Sequence, residues 1–111
     1  MKTKRTYKEI QKLLAQAKSL LLGIYGERLV SVILYGSFAR NQATLDSDID
    51  LAVILKGKLN KADEIEKMKE VISLLSLESD ELVSVNPISK EELQDTEWPL
   101  YDHIRNEGIR L

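Results

Sequence analysis

Gly36-Ser37 and Asp48-Ile49-Asp50 are the residues whose types and spacing could do chemistry in this chain. Asp48 and Asp50 stand two apart at the mouth of a predicted strand. Strand side chains alternate, so both carboxylates project from one face. Ile49, Leu51, Val53 and Leu55 then face the other way and can bury. Two adjacent carboxylates repel each other unless a cation stands between them. Hard oxygen ligands that leave room for waters and phosphates suit Mg²⁺, with Mn²⁺ as the alternative. The chain has no Cys and one His, which excludes thiolate and His-rich metal sites.

Gly36 and Ser37 end the preceding predicted strand. A glycine there lets a ligand approach the backbone closely. A serine opening a helical turn offers its hydroxyl, and the N–H groups behind it can cradle a phosphate. Arg40 follows one turn later, where its forked donors could neutralise phosphate or pair with a surface carboxylate. Ser47, just before Asp48, either joins the nucleotide contacts or caps an acidic loop. A phosphate grip followed by metal carboxylates is the set of parts that nucleotidyl transfer needs.

The elements that must hold these residues are legible in outline. Thr6 and Glu9 have capping-box spacing ahead of a helix bearing Ile10, Leu13, Leu14, Ala17, Leu20, Leu21 and Ile24. Leu29 to Tyr35 reads as a strand and Ile49 to Leu55 as a second, joined by an irregular or helical connection over 38–47. Asn60 can cap a second long helix, with Ile65, Met68, Ile72 and Leu75 as its buried stripe and Lys61, Glu64, Lys67 and Lys69 on a solvated face. Leu82 to Asn86 is a short third strand stopping at Pro87. Ser89 and Glu92 have capping-box spacing before an acidic helical stretch, and a last helix ends at Gly108. Leu20, Leu21 and Met68 read as core, and Trp98 and Tyr101 as cover for the core or a subunit contact. His103 reads as a surface residue.

The resulting order, α-β-(α)-β-α-β-α, predicts an α/β (α+β) fold with a small mixed sheet packed with helices. At 111 residues, with five Gly, two Pro and no linker-like tract, the chain reads as one domain over 1–111. A composition of 43% hydrophobic and 31% charged residues excludes disordered and fibrous classes. No apolar stretch approaches membrane-spanning length and no secretory signal precedes the first helix, so the expectation is a cytoplasmic protein. Residues 1–18 are basic and residues 78–97 acidic, within a net charge of −2. That is not the dominant basic face of a protein gripping long nucleic acid. A small sheet with open edges could be covered by a partner or a second copy.

With its flanks, the string GSFARNQATLDSDIDLAVIL resembles the signature of the DNA polymerase beta-type nucleotidyltransferase superfamily, and most of all its smallest members, the minimal nucleotidyltransferases. The likeness is strongest from Leu29 to Leu55. It implies that Gly36 and Ser37, with Arg40 and Ser47 near them, hold the triphosphate of ATP, and that Asp48 and Asp50 bind Mg²⁺. It implies a third carboxylate on the third strand, and here the chain departs: Leu82-Val83-Ser84-Val85-Asn86 carries no acid. Asp80 and Glu81 lie just before that strand and could substitute, with Asp80 the expected catalytic candidate, or Ser84 could hold the position without serving it. Many such proteins are antitoxins paired with HEPN-domain toxins. The resemblance therefore implies AMP transfer from ATP to a tyrosine hydroxyl of a HEPN partner. The missing acid motivates an alternative, a degenerate module that neutralises its partner by contact.

Overall fold

The computed structural model describes residues 4–111; Lys2, counted above in the basic N-terminal segment, lies outside them. Three α-helices are present, α1 (Tyr7–Tyr25), α2 (Lys61–Ser79) and α3 (Pro99–Glu107). The strands are β1 (Leu29–Tyr35), β2 (Ile49–Leu55), β3 (Val83–Ser89) and β4 (Ile109–Arg110), with single 3-10 turns at Gly26–Arg28 and Glu92–Gln94. The sheet order is β3-β2-β1-β4. β1 runs antiparallel to both β2 and β4, while β2 and β3 run parallel, so the sheet is mixed as expected.

Alternation along the strands divides the core in two. Val32, Leu34, Ile49, Leu51, Val53, Leu55 and Val83 pack against the buried stripes of α1 and α2. Ile33, Ala52, Ile54 and Ile88 face the other way, onto Ile104 of α3 and Leu93. Asp50 shares parity with Ala52 and Ile54 and so belongs to the α3 side. The tight passage from α3 into β4 requires Gly108, since a Cβ there would strike the Ile104 carbonyl and the Ile33 side chain.

Local chemistry explains the element starts. The Thr6 N–H donates to Glu9 Oε1 at 3.3 Å ahead of α1, and Asn60 Oδ1 accepts from the Asp63 N–H at 3.2 Å at the start of α2. The Ser89–Glu92 reciprocal pair forms too, at 3.0 Å in both directions, but it opens one 3-10 turn rather than an acidic helix.

Five further expectations are corrected. β3 does not stop before Pro87; it continues through it to Ser89, because the Pro87 nitrogen faces the open side of an edge strand where no ladder bond is lost. A fourth strand, β4, closes the β1 side. On α2 the stripe holds at Met68, Ile72 and Leu75 but not at its first residue: Ile65 is 46% exposed, while Glu64, assigned to the solvated face, is 4% exposed and paired with Arg28 at 3.0 Å. Leu20 is exposed while Leu21 is buried. Trp98 is 62% exposed at the start of α3, so of its two readings the core cover is corrected and the subunit contact stays open, whereas Tyr101 packs against the α3-side cluster. The exposed His103 lies 3.2 Å from Glu107, as a surface residue would.

Candidate active site

β1 and β2 end together, with Tyr35 abreast of Asp50. The chain then turns at Gly36 in the left-handed region (φ +76°), and a Cβ on Gly36 would overlap the Asp50 carboxylate. The glycine is required twice over, for its backbone conformation and for the close approach of the turn to the carboxylate. Successive turns follow: the Arg40 N–H donates to Gly36 O at 3.2 Å and the Gln42 N–H to Ser37 O at 2.9 Å. The segment is the irregular connection expected. Buried Phe38 anchors it, with the Arg5 guanidinium 5.4 Å above its ring. Arg5 also donates its backbone N–H to Ala43 O at 2.8 Å and forks onto Glu81.

Ser47 ends the connection. Its hydroxyl accepts from the Thr44 N–H at 2.8 Å, so it shapes the turn that delivers Asp48 to the mouth of β2. Asp48 is exposed and Asp50 half-buried. Burial raises the Asp50 carboxyl above the ordinary aspartate range, the Asp48 charge raises it further, and Arg40 opposes both. Arg40 thus stands near enough to feel Asp50. It also contacts Glu107 at 3.8 Å and Gln42 at 3.2 Å, so its phosphate and surface-pair readings meet at one place.

Asp80 is not brought to the pair. It caps the C-terminus of α2 in a left-handed conformation (φ 55°) and lines a hollow with Ser76, Leu77 and Leu82 on the α2 side of the sheet. Glu81 is committed to Arg5, which holds its carboxyl below the ordinary range against the opposing effect of burial. The position abreast of Asp50 on β3 is occupied by Ser84. Among the described residues no third carboxylate or imidazole joins the pair in a metal-holding group. Two aspartates, one of them made costly to ionise by the other, still fit a hard divalent cation that keeps waters and phosphate oxygens as its remaining ligands.

Tyr35 and Asn86 were not singled out from sequence. Burial raises the Tyr35 hydroxyl above the usual phenol range; the nearby Asn86 side chain opposes this and the Asp50 charge adds to it. Tyr35 shares the face of Asp50 and packs against the α3-side cluster beside it. The available signal was strand parity: Tyr35 immediately precedes the turn, and Asn86 is two residues beyond Ser84.

Comparison with known proteins settles the relationship. Residues 8–108 match the family described as Polymerase beta, Nucleotidyltransferase. The chain belongs to this family. By that membership it is a nucleotidyltransferase. A Methanocaldococcus jannaschii relative named "Putative protein adenylyltransferase" is 29% identical over 103 residues, which is 93% of this chain and 99% of that protein. A crystal structure of a "putative nucleotidyltransferase" from Sulfolobus solfataricus superposes with a TM-score of 0.68 at 19% identity, over 93% of this chain and 79% of that one, and shows the shared nucleotidyltransferase fold. A crystal structure of a mutant form of the toxin–antitoxin MntA-HpeT matches with a TM-score of 0.52 at 25% identity, over 84% of this chain and 67% of that one. Among the described residues no helix is long and apolar enough to cross a membrane.

Proposed function

We propose that the chain transfers AMP from ATP to a tyrosine hydroxyl of a partner protein, and that the partner is a HEPN-type toxin that this modification silences. The observation that carries the reading is the Gly36 turn closed against Asp50, with Asp48 beside it. The names of the Methanocaldococcus relative and of the toxin–antitoxin match support a protein acceptor and an antitoxin role.

Asp48 and Asp50 would hold Mg²⁺, or Mn²⁺ in its place. The ion supplies charge neutralisation at the phosphates and lowers the pKa of a bound hydroxyl. The Gly36 turn and Ser37 receive the triphosphate, and Arg40 balances its charge. The acceptor oxygen forms a bond to the α-phosphorus as the bond from that phosphorus to the bridging oxygen breaks, and pyrophosphate leaves with the electron pair. Ser84 stands where a proton-accepting carboxylate would, so the acceptor proton passes to water at this exposed edge. Ser84 also favours a second reading, in which the site is degenerate and the protein neutralises its partner by contact.

The test is calorimetric titration of ATP with and without Mg²⁺ into the wild type and into Asp48→Asn/Asp50→Asn. Magnesium-dependent binding, weakened at least about a hundredfold in the double variant, is the expected result. Equal binding by the two proteins would remove the carboxylates from the site, and loss of partner neutralisation in the variant separates transfer from contact.

A further inference from the structure

β3 is an edge strand whose longest unguarded run of backbone lies beside the paired aspartates. The Ile49 N–H donates to Leu82 O and the Lys90 N–H to Leu55 O, both at 2.9 Å, which fixes the parity of the parallel ladder. Leu82, Ser84, Asn86 and Ile88 turn their backbone groups to β2; Val83, Val85, Pro87 and Ser89 turn theirs outward. Of these outward groups, the Val83 N–H donates to Ser76 Oγ at 3.2 Å. Pro87 has no N–H, and its carbonyl accepts from Lys61 Nζ at 2.7 Å. The Ser89 N–H donates to Glu92 Oε1 at 3.0 Å. The Val83 carbonyl and the Val85 N–H and carbonyl have no partner among the described residues. Natural sheets blunt their edges against unwanted pairing; apart from the Ser89 carbonyl at the far end of the strand, this one is blunted at each outward group but these.

We infer that this gap docks the acceptor: an extended segment of the partner protein adds to β3 at Val83–Val85 and sets its acceptor side chain abreast of Ser84. The inference rests on the protein-acceptor reading above. A residue abreast of Ser84, whichever way the segment runs, shares the face of Ser84 and Asp50, because side-chain parity is conserved across a sheet. Its Cα lies two strand spacings from Asp50, about 10 Å, a span that a long side chain crosses over the short Ser84. A larger residue at position 84 would fill that path. Main-chain bonds give such docking its affinity without demanding a particular sequence. A second copy fits this edge poorly. Antiparallel pairing about Val85 would set Val83 opposite Pro87 of the other copy, which has no N–H to give, and one bonded rung is far below a stable dimer interface.

The probe is the synthetic pentapeptide acetyl-Thr-Val-Tyr-Val-Thr-amide, followed by amide hydrogen exchange and by NMR titration of the ¹⁵N-labelled protein without nucleotide. Saturating peptide should slow exchange at Val85 about tenfold, with shift changes confined to residues 82–86. Val85→Pro, which removes the outward donor and leaves the β2 ladder whole, should weaken peptide binding about tenfold while ATP affinity holds. Val85→Ala keeps the donor and should keep the binding. Unchanged Val85 exchange, or equal peptide affinity in Val85→Pro, overturns the docking; if that variant fails to fold, the wild-type exchange decides alone. Protection that grows with protein concentration in the absence of peptide gives the edge to a second copy and also overturns it. AMP transfer to the peptide is measured separately: transfer without Val85 protection overturns the docking only, and protection without transfer overturns the proposed reaction only.

Discussion

Asp50 is costlier to ionise in the folded protein than in the unfolded chain, and this gives the site a stability cost. Burial first, and Asp48 second, raise its folded pKa above the unfolded value. The folded protein therefore binds the Asp50 proton more tightly than the unfolded chain does. The advantage is complete below the unfolded pKa and is lost as pH rises through the folded one, leaving a penalty at neutral pH. Asp50→Asn should thus raise the melting temperature at pH 7 by a few degrees, with the gain shrinking to nothing near pH 3, while transfer falls at least about a hundredfold. A variant less stable than wild type at pH 7 would mean that Asp50 already has a compensating partner in the folded protein. Gly36 obeys the same logic from the other side, since no larger residue fits between the turn and this carboxylate. Both were legible in the sequence because type and spacing alone place them. Ser84 was legible only as one alternative beside Asp80 and Glu81, since the register of β3 on β2 decides which residue stands beside Asp50 and that register is set by long-range packing.

At the scale of elements, β1 and β2 run over the expected residues because both are apolar strands ended by a turn or a charge pair. On α2 only the first residue of the buried stripe was misread, Ile65 for Glu64, and the reason is an ion pair. Arg28, in the turn before β1, reaches Glu64 at 3.0 Å, with Lys67 at 3.6 Å. Tyr25 stacks on Arg28 at 5.5 Å and donates its hydroxyl to the Glu64 carbonyl at 3.3 Å. Burial alone would raise the Glu64 pKa, but Arg28 outweighs it and the carboxyl lies below its ordinary range. Its contribution is present above the unfolded pKa and is lost as pH falls through the folded one. A helical period cannot reveal a charge that turns inward to meet a residue 36 positions away. Arg28→Ala should destabilise by about 1–3 kcal/mol in chemical denaturation, because it leaves the buried Glu64 carboxylate with only the exposed Lys67 at 3.6 Å, and adding Glu64→Gln should recover about half of that. Additive losses in the double variant would show that the pair is not coupled. β4 escaped notice for a simpler reason: two residues carry no period.

Across the whole molecule, a second ion pair stands at the other end of the sheet and differs in what it holds. Arg28 and Glu64 tie α2 to the entrance of β1, remote from the aspartates. Arg5 joins three parts that meet only in the folded chain: the segment before α1, the 38–43 connection through Phe38 and Ala43, and the start of β3 through Glu81. That connection carries Ser37 and Arg40, and the start of β3 leads to Ser84. Under the proposed function, Arg5 positions the nucleotide side and the acceptor side at once. Arg5→Ala should lower the melting temperature, as Arg28→Ala does, but only Arg5→Ala should weaken ATP binding, by about tenfold, since a connection displaced by even about an ångström no longer presents Ser37 and Arg40 to the phosphates. Arg5→Lys keeps the charge and loses the fork onto Glu81 and much of the stacking on Phe38, so it should fall between. Calorimetry of ATP with Mg²⁺ on the three variants, at a temperature where all are folded, decides the point. Equal ATP affinity in Arg5→Ala and Arg28→Ala would mean that the connection holds its shape through its own turns, and that Phe38 burial alone is enough to seat it.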